Sequence, residues 1–197
     1  MHRQTAQYPR QGQSQGRGEG GRRAGKRRLS PLALTGTPGT GKTTLARLLD
    51  RPRLELSNYY KASSDGRDDG GEWLVDLEQM AAAVARDTSP EAVIEGHLSH
   101  RLGLCETVVV LRCHPDELRE RLGARGYAEA KLRENLEAEA LGIITAEALE
   151  TGTKVHELDT TGQLPAASVA ALATILAGAK DYQPGRIDFS EAILGWY

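Results

Sequence analysis

Residues 36–43 read Gly-Thr-Pro-Gly-Thr-Gly-Lys-Thr, a complete G-x-x-x-x-G-K-[ST] pattern. Each residue type in it suits phosphate. Gly36, Gly39 and Gly41 permit a backbone wrap that a Cβ would obstruct. The N–H groups of the loop, with the positive end of the helix that follows, form an anion site for α- and β-phosphates. Lys42 can reach the β- and γ-oxygens, and the Thr43 hydroxyl can ligate Mg²⁺. The plainer alternative is a glycine-rich strand-to-helix turn that matches by chance. The flanks argue against it, because the apolar run 31–35 reads as a buried strand and 43–49 as a helix. The pattern predicts a nucleoside triphosphate site.

Four other groupings can carry chemistry. Glu95-Gly-His97 ends an apolar run, where such folds keep the Mg²⁺ shell or a lytic water; His97 can act as a base or hydrogen-bond a phosphate. The alternative for Glu95 is a carboxylate capping a turn. His100 is as well explained by local helical packing. Arg121-Leu-Gly-Ala-Arg125-Gly-Tyr127 can be a closing lid whose guanidinium meets the charge on a transferring phosphoryl group, or a solvated turn between helices. Asn58–Glu72, with Tyr59, Tyr60 and Lys61, can be a monophosphate-acceptor pocket or a surface loop without that role. Asp159–Leu164 follows the last strand, and such loops border the ligand crevice of open sheets. A zinc site from His97, His100 and Cys105 would fit no standard spacing.

The elements that must position these residues alternate. Strands are expected at 31–35, 54–56, 92–94, 107–111 and 154–158, short apolar runs suited to burial on both faces. Helices are expected at 73–86, with Leu74, Leu77, Met80 and Ala81 on one face, and at 115–122, with Pro115 at its first position. Two more are expected at 128–150 and 166–177. The series predicts an α/β P-loop fold, a parallel five-stranded sheet sandwiched by helices with right-handed crossovers. Asn58–Glu72 has no period and reads as a loop or insert.

The chain has 197 residues and a net charge of −2, which hides an asymmetry: residues 1–28 hold eight Lys/Arg and one acid, Glu19. Residues 1–29 therefore read as a disordered basic Gly/Gln/Arg-rich tail, 30–180 as the nucleotide-binding domain and 181–197 as a C-terminal extension. The tail's charge suits an RNA contact, and the alternative is a solvated extension. The two cysteines make no disulfide framework, and neither a spanning segment nor a secretory signal is visible. A reducing cytoplasm is the expected location.

The phosphate loop with Thr44, the acid-x-His at Glu95–His97, and the segment Arg121–Asn135 together resemble the adenylate kinase 6 family, also called coilin-interacting nuclear ATPases in animals; this version looks archaeal. The resemblance spans about 31–177, and the lid segment is its more specific part. It implies an adenylate-kinase-like fold with a short lid (123–134), an acceptor segment (58–76), and phosphoryl transfer from ATP to AMP or another nucleoside monophosphate. It also implies ATPase activity and a role in late maturation of small-subunit ribosomal RNA, with a ribosomal protein of the small-subunit platform as partner; the alternatives are an ATPase-only ribosome assembly factor or another small-molecule P-loop kinase. ATP contacts are implied for Gly39, Gly41, Lys42, Thr43, Thr44 and Arg125. Catalytic roles fall on Lys42, Glu95, His97 and Arg125, and Thr43 is the metal ligand. Two departures stand out. Glu95 replaces the Asp of many members, and Lys61, which lacks a bidentate fork, stands where Arg is more frequent.

Overall fold

The computed structural model describes residues 30–68, 71 and 73–196. Its centre is a five-stranded sheet in the order β2-β5-β1-β6-β7, formed by β1 (Leu32–Thr35), β2 (Arg53–Glu55), β5 (Val93–Glu95), β6 (Thr107–Arg112) and β7 (Lys154–Asp159). All pairings are parallel. Parallel strands need crossovers, and those crossovers put helices on both faces. One face carries α1 (Lys42–Leu48) and α6 (Pro165–Leu176) over Leu34, Val109 and Leu158. The other buries Ala33, Ile94 and Val110 with Met80 and Val84 of α2 (Leu77–Asp87) and Ala148 of α5 (Ile143–Glu150). A third cluster joins α3 (Pro115–Gly123) to α4 (Glu129–Ala140) through Leu118, Leu122, Leu132 and Leu136, and Trp196 packs against it.

Three expectations need correction. The helix expected at 73–86 begins at Leu77; Trp73–Val75 is instead β4, paired antiparallel with β3 (Ser64–Arg67). The boundary is set by Asp76, whose carboxylate accepts from the Gln79 N–H at 3.0 Å and caps the first turn. The expected loop 58–72 thus contains the last residue of one 3₁₀ turn (Leu56–Asn58), a second such turn (Tyr60–Ser63) and one arm of that hairpin. The helix expected over 128–150 is two. It breaks at Gly142, where φ is +65°, a left-handed conformation that ends α4 and starts α5. The expected tail, 1–29, lies outside the described residues.

The segment after α6 lies along the outer edge of β7. The Glu157 N–H donates to the Tyr182 carbonyl at 2.9 Å, and the Gly185 N–H donates to the Glu157 carboxylate at 2.9 Å. This covers an otherwise open strand edge. No helix among the described residues is long and apolar enough to cross a membrane.

Candidate nucleotide site

The phosphate loop runs from the end of β1 into α1. Gly39 has φ of +93°, and a Cβ there would lie 2.6 Å from Leu118 Cδ1, so only glycine lets α3 close over the loop. Three contacts from distant sequence and one within the loop fix it further. Thr37 Oγ1 donates to Glu139 Oε2 at 2.5 Å, and Arg121 Nη1 donates to the Gly39 carbonyl at 3.2 Å. The Thr160 hydroxyl donates toward the Thr40 carbonyl at 3.1 Å, and within the loop Thr40 Oγ1 donates to the Thr37 carbonyl at 2.9 Å.

Lys42 turns back onto its own loop, where Nζ donates to the carbonyls of Gly36 (2.7 Å) and Thr37 (2.9 Å). Burial pushes its pKa down to about 8 against the pull of Glu95 and Glu139, and Arg125 adds to the drop. A half-buried, partly desolvated ammonium with its charge incompletely met favours an anion. Next to it, Thr43 Oγ1 donates to Glu95 Oε2 at 3.1 Å, and Glu95 Oε1 accepts from Arg53 Nη1 at 3.1 Å. A hydroxyl and a carboxylate this close form the hard oxygen set that Mg²⁺ takes, so the residues present fit that ion.

Gly96 makes the step from Glu95 to His97 possible. Its φ is +154°, and a Cβ would meet that of Leu56 at 2.8 Å. His97 Nδ1 then lies 3.1 Å from the Tyr60 hydroxyl, with the two rings edge to face. Arg125 stands exposed in the turn between α3 and α4.

One cavity of about 630 Å³ is lined by Gly39, Gly41, Lys42, Thr43, Thr44, Glu95, His97 and Arg125, which are the residues expected from the sequence. Tyr60, Glu55 and Ser57 line it as well. A smaller recess of about 230 Å³ continues between Thr44, Arg125 and Gln163, so the Asp159–Leu164 loop also borders the site. Lys61 does not line the cavity; its side chain lies at the exposed surface of a 3₁₀ turn. His100 lies outside the cavity, buried beneath the strand end.

Sequence reading missed Glu139. It is 2% exposed and accepts from Thr37, from Arg112 Nε at 2.8 Å and from the Cys113 N–H at 3.0 Å. Arg112 in turn donates to Glu157 Oε1 at 2.6 Å. A signal existed: Glu139 falls seven residues after Leu132 and three after Leu136, so it sits on an apolar helical stripe. A carboxylate there must be paired.

A crossover-connected parallel sheet with a phosphate loop after its central strand defines a P-loop NTPase of the small-kinase architecture. Comparison with solved structures agrees: shikimate kinase from Acinetobacter baumannii, in complex with shikimate, superposes with a TM-score of 0.55 at 15% identity, over 78% of this chain and 96% of that one. A family model described as an AAA domain matches residues 32–142. Among curated proteins, "Putative adenylate kinase" of Methanothermobacter thermautotrophicus is 43% identical over 170 residues, covering 83% of this chain and 99% of its own. The protein of the same name from Archaeoglobus fulgidus is 42% identical over 168 residues, 80% of this chain and 90% of its own. The chain belongs to the family of these archaeal proteins.

Proposed function

We propose that this chain is a nucleoside monophosphate kinase that transfers the γ-phosphoryl group of ATP to AMP, with related monophosphates as further acceptors. The observation that carries the reading is the shared cavity, with Lys42 and Thr43 at one end, Tyr60 and His97 at the other, and Arg125 in the turn above. The names of the archaeal relatives support it.

The loop amides and Lys42 hold the β- and γ-phosphates. On binding, the Lys42 ammonium exchanges its two carbonyl partners for phosphate oxygens. Thr43 and Glu95 are the residues that would hold Mg²⁺, which would supply positive charge against the phosphate oxygens. Arg125 enters from the lid and meets the charge spread over the equatorial oxygens. His97, oriented by Tyr60, faces the acceptor and keeps the attacking oxygen in line.

A specific observation favours hydrolysis as a second outcome at the same site. Beside the acceptor segment, Arg53 of β2 is held by Glu55 and Glu95, and within it Arg67 sits 4.1 Å over the Trp73 ring. Both guanidinium groups already have partners, so a monophosphate must compete for them, and when it does not bind the γ-phosphorus is left open to water. A coupled assay with AMP, CMP, GMP, UMP and water as acceptors tests both outcomes. AMP phosphorylation is expected to exceed hydrolysis, and turnover with water alone would overturn the kinase reading.

A part in small-subunit ribosomal RNA maturation, with a platform ribosomal protein as partner, draws support from the lid resemblance and from the basic balance of residues 1–28. Deleting those residues is expected to leave AMP phosphorylation unchanged and to flatten the plot of log RNA affinity against log salt, since its slope counts neutralised phosphates. Titration of ribosomal RNA at several salt concentrations measures it; superimposable curves would remove RNA from the proposal.

A further inference from the structure

Beneath the Glu95–His97 turn lies a chain of polar groups that the phosphoryl-transfer chemistry does not use. Thr35, the last residue of β1, is fully buried, and its Oγ1 has two neighbours: the His97 carbonyl at 3.1 Å and His100 Nδ1 at 3.0 Å. On the far side of the ring, His100 Nε2 lies 3.1 Å from Glu147 Oε2 on α5. His100 is 2% exposed. A threonine hydroxyl has one proton and can donate to one of its two neighbours.

The ring decides which. In the neutral state, the Nε2–H donates to the Glu147 carboxylate, Nδ1 is a bare acceptor, and the Thr35 hydroxyl donates to it. The His97 carbonyl is then without Thr35. In the imidazolium both nitrogens donate: Nε2–H still to Glu147, Nδ1–H now to Thr35 Oγ1. The hydroxyl proton is thereby turned toward the His97 carbonyl. One proton gained by the ring, delivered past the Glu147 side chain, which is 42% exposed, moves one hydrogen bond onto the backbone of the His97 turn.

We propose that His100 is a positioning residue for His97, its protonation state directing the Thr35 hydroxyl either to the ring or to the His97 carbonyl. The proposal rests on the role given to His97 above. Burial holds the His100 pKa below its usual value, opposed by Glu147 and aided by Arg101 of the same turn. The ring is therefore neutral near pH 7, and the His97 turn tightens as pH falls. The other element packed on this turn, α2, buries Met80 and Val84 and no charged side chain.

Nitrogen-15 and carbonyl carbon-13 spectra of the full-length chain, with His100 assigned by difference against His100→Gln, test the proton placement without reference to turnover. Above the ring's pKa, the neutral ring is expected to carry its proton on Nε2. The His97 carbonyl signal is expected to shift in step with ring protonation in wild type and to lose that shift in Thr35→Val. A neutral ring protonated on Nδ1, or a His97 carbonyl indifferent to the ring, would overturn the proposal. Activity adds a second arm. The ratio of wild-type to Thr35→Val hydrolysis should grow from about one above the ring's pKa to about fivefold below it, the size of one net hydrogen bond. Thr35→Ser, which restores the hydroxyl, should follow wild type. A constant ratio across pH would refute the link. Should the wild-type chain turn over nothing at any pH, the role of His97 falls, while the spectra still decide the proton placement.

Discussion

The two ends of the cavity are built differently. At the triphosphate end, Thr37 and Thr40 are buried, and the loop is fastened by Glu139, Arg121 and Thr160, each reaching from more than eighty residues away in sequence. At the acceptor end the fastenings are more local and more exposed. Glu55 accepts from Ser57 and Arg53, Arg67 lies over Trp73, and the Tyr59 hydroxyl donates to Asp87 at 2.7 Å on the surface. The longer connections there are Tyr60 to His97 and Arg53 to Glu95, one from each side of the β5 turn. A site fastened from many elements costs little reorganisation when charge develops in it. A site fastened to its own neighbours must be completed by the ligand. On the proposed function, triphosphate binding is prepared by the fold, whereas acceptor choice falls to a short segment fastened mainly to its own neighbours.

The largest expected effect lies at the prepared end. Lys42→Met should abolish both AMP phosphorylation and hydrolysis, by roughly a thousandfold or about 4 kcal/mol of barrier, with the thermal midpoint retained. Steady-state kinetics with calorimetry checks this; a variant keeping a tenth of wild-type turnover would place the triphosphate elsewhere. At the junction of the two ends, His97→Gly should reduce hydrolysis about tenfold more than AMP phosphorylation, because an attacking water depends on orientation that a bound acceptor supplies itself. Equal losses would make His97 part of the common frame.

Acid–base titration separates the ends more gently. The Lys42 ammonium loses its proton in the free protein near pH 8, so kcat/KM for ATP should fall above that pH, about tenfold per unit in the limit. Stability should move the other way. The folded pKa lies below the usual 10.5, so between about 8 and 10.5 the unfolded chain binds more protons and stability rises with pH. Parallel pH series of initial rates and of urea midpoints compare the two slopes; a common sign would contradict the assignment to Lys42. Smallest is Lys61→Ala. Since Lys61 does not line the cavity, KM for AMP should change by less than about twofold, within the usual range of surface substitutions. A tenfold rise would mean that Lys61 swings inward on binding.

Much of this was legible in the sequence because it is local. The phosphate loop is a contiguous pattern, and four of the five sheet strands sit on β-branched or leucine-rich runs flanked by turns. The acid-x-His could be placed because it ends such a run. Errors arose where two local signals coincided. Trp73-Leu74-Val75 continues the apolar face of α2 in helical register, so the hairpin strand was hidden until Asp76, three residues before Gln79, is read as a cap. Leu132, Leu136, Ala140 and Ile143 keep helical spacing through Gly142, whose left-handed turn carries no periodic mark. Glu139, Arg112 and Glu157 were illegible for a different reason. Their meaning is their pairing, Arg112 with Glu139 at 2.8 Å and with Glu157 at 2.6 Å, and contacts between a strand end, a helix and another strand have no signature in spacing.

Trp196 packs against the cluster that joins α3 to α4 and holds the Arg119 guanidinium 5.8 Å from its ring. Those two helices are the arms of the turn that presents Arg125. The indole is therefore a built-in optical gauge: its emission depends on the solvent and charge around it, and both change when the arms shift. The chain has one other tryptophan, Trp73. In a Trp73→Phe background the fluorescence of Trp196 alone would follow lid closure in stopped flow, with no label attached.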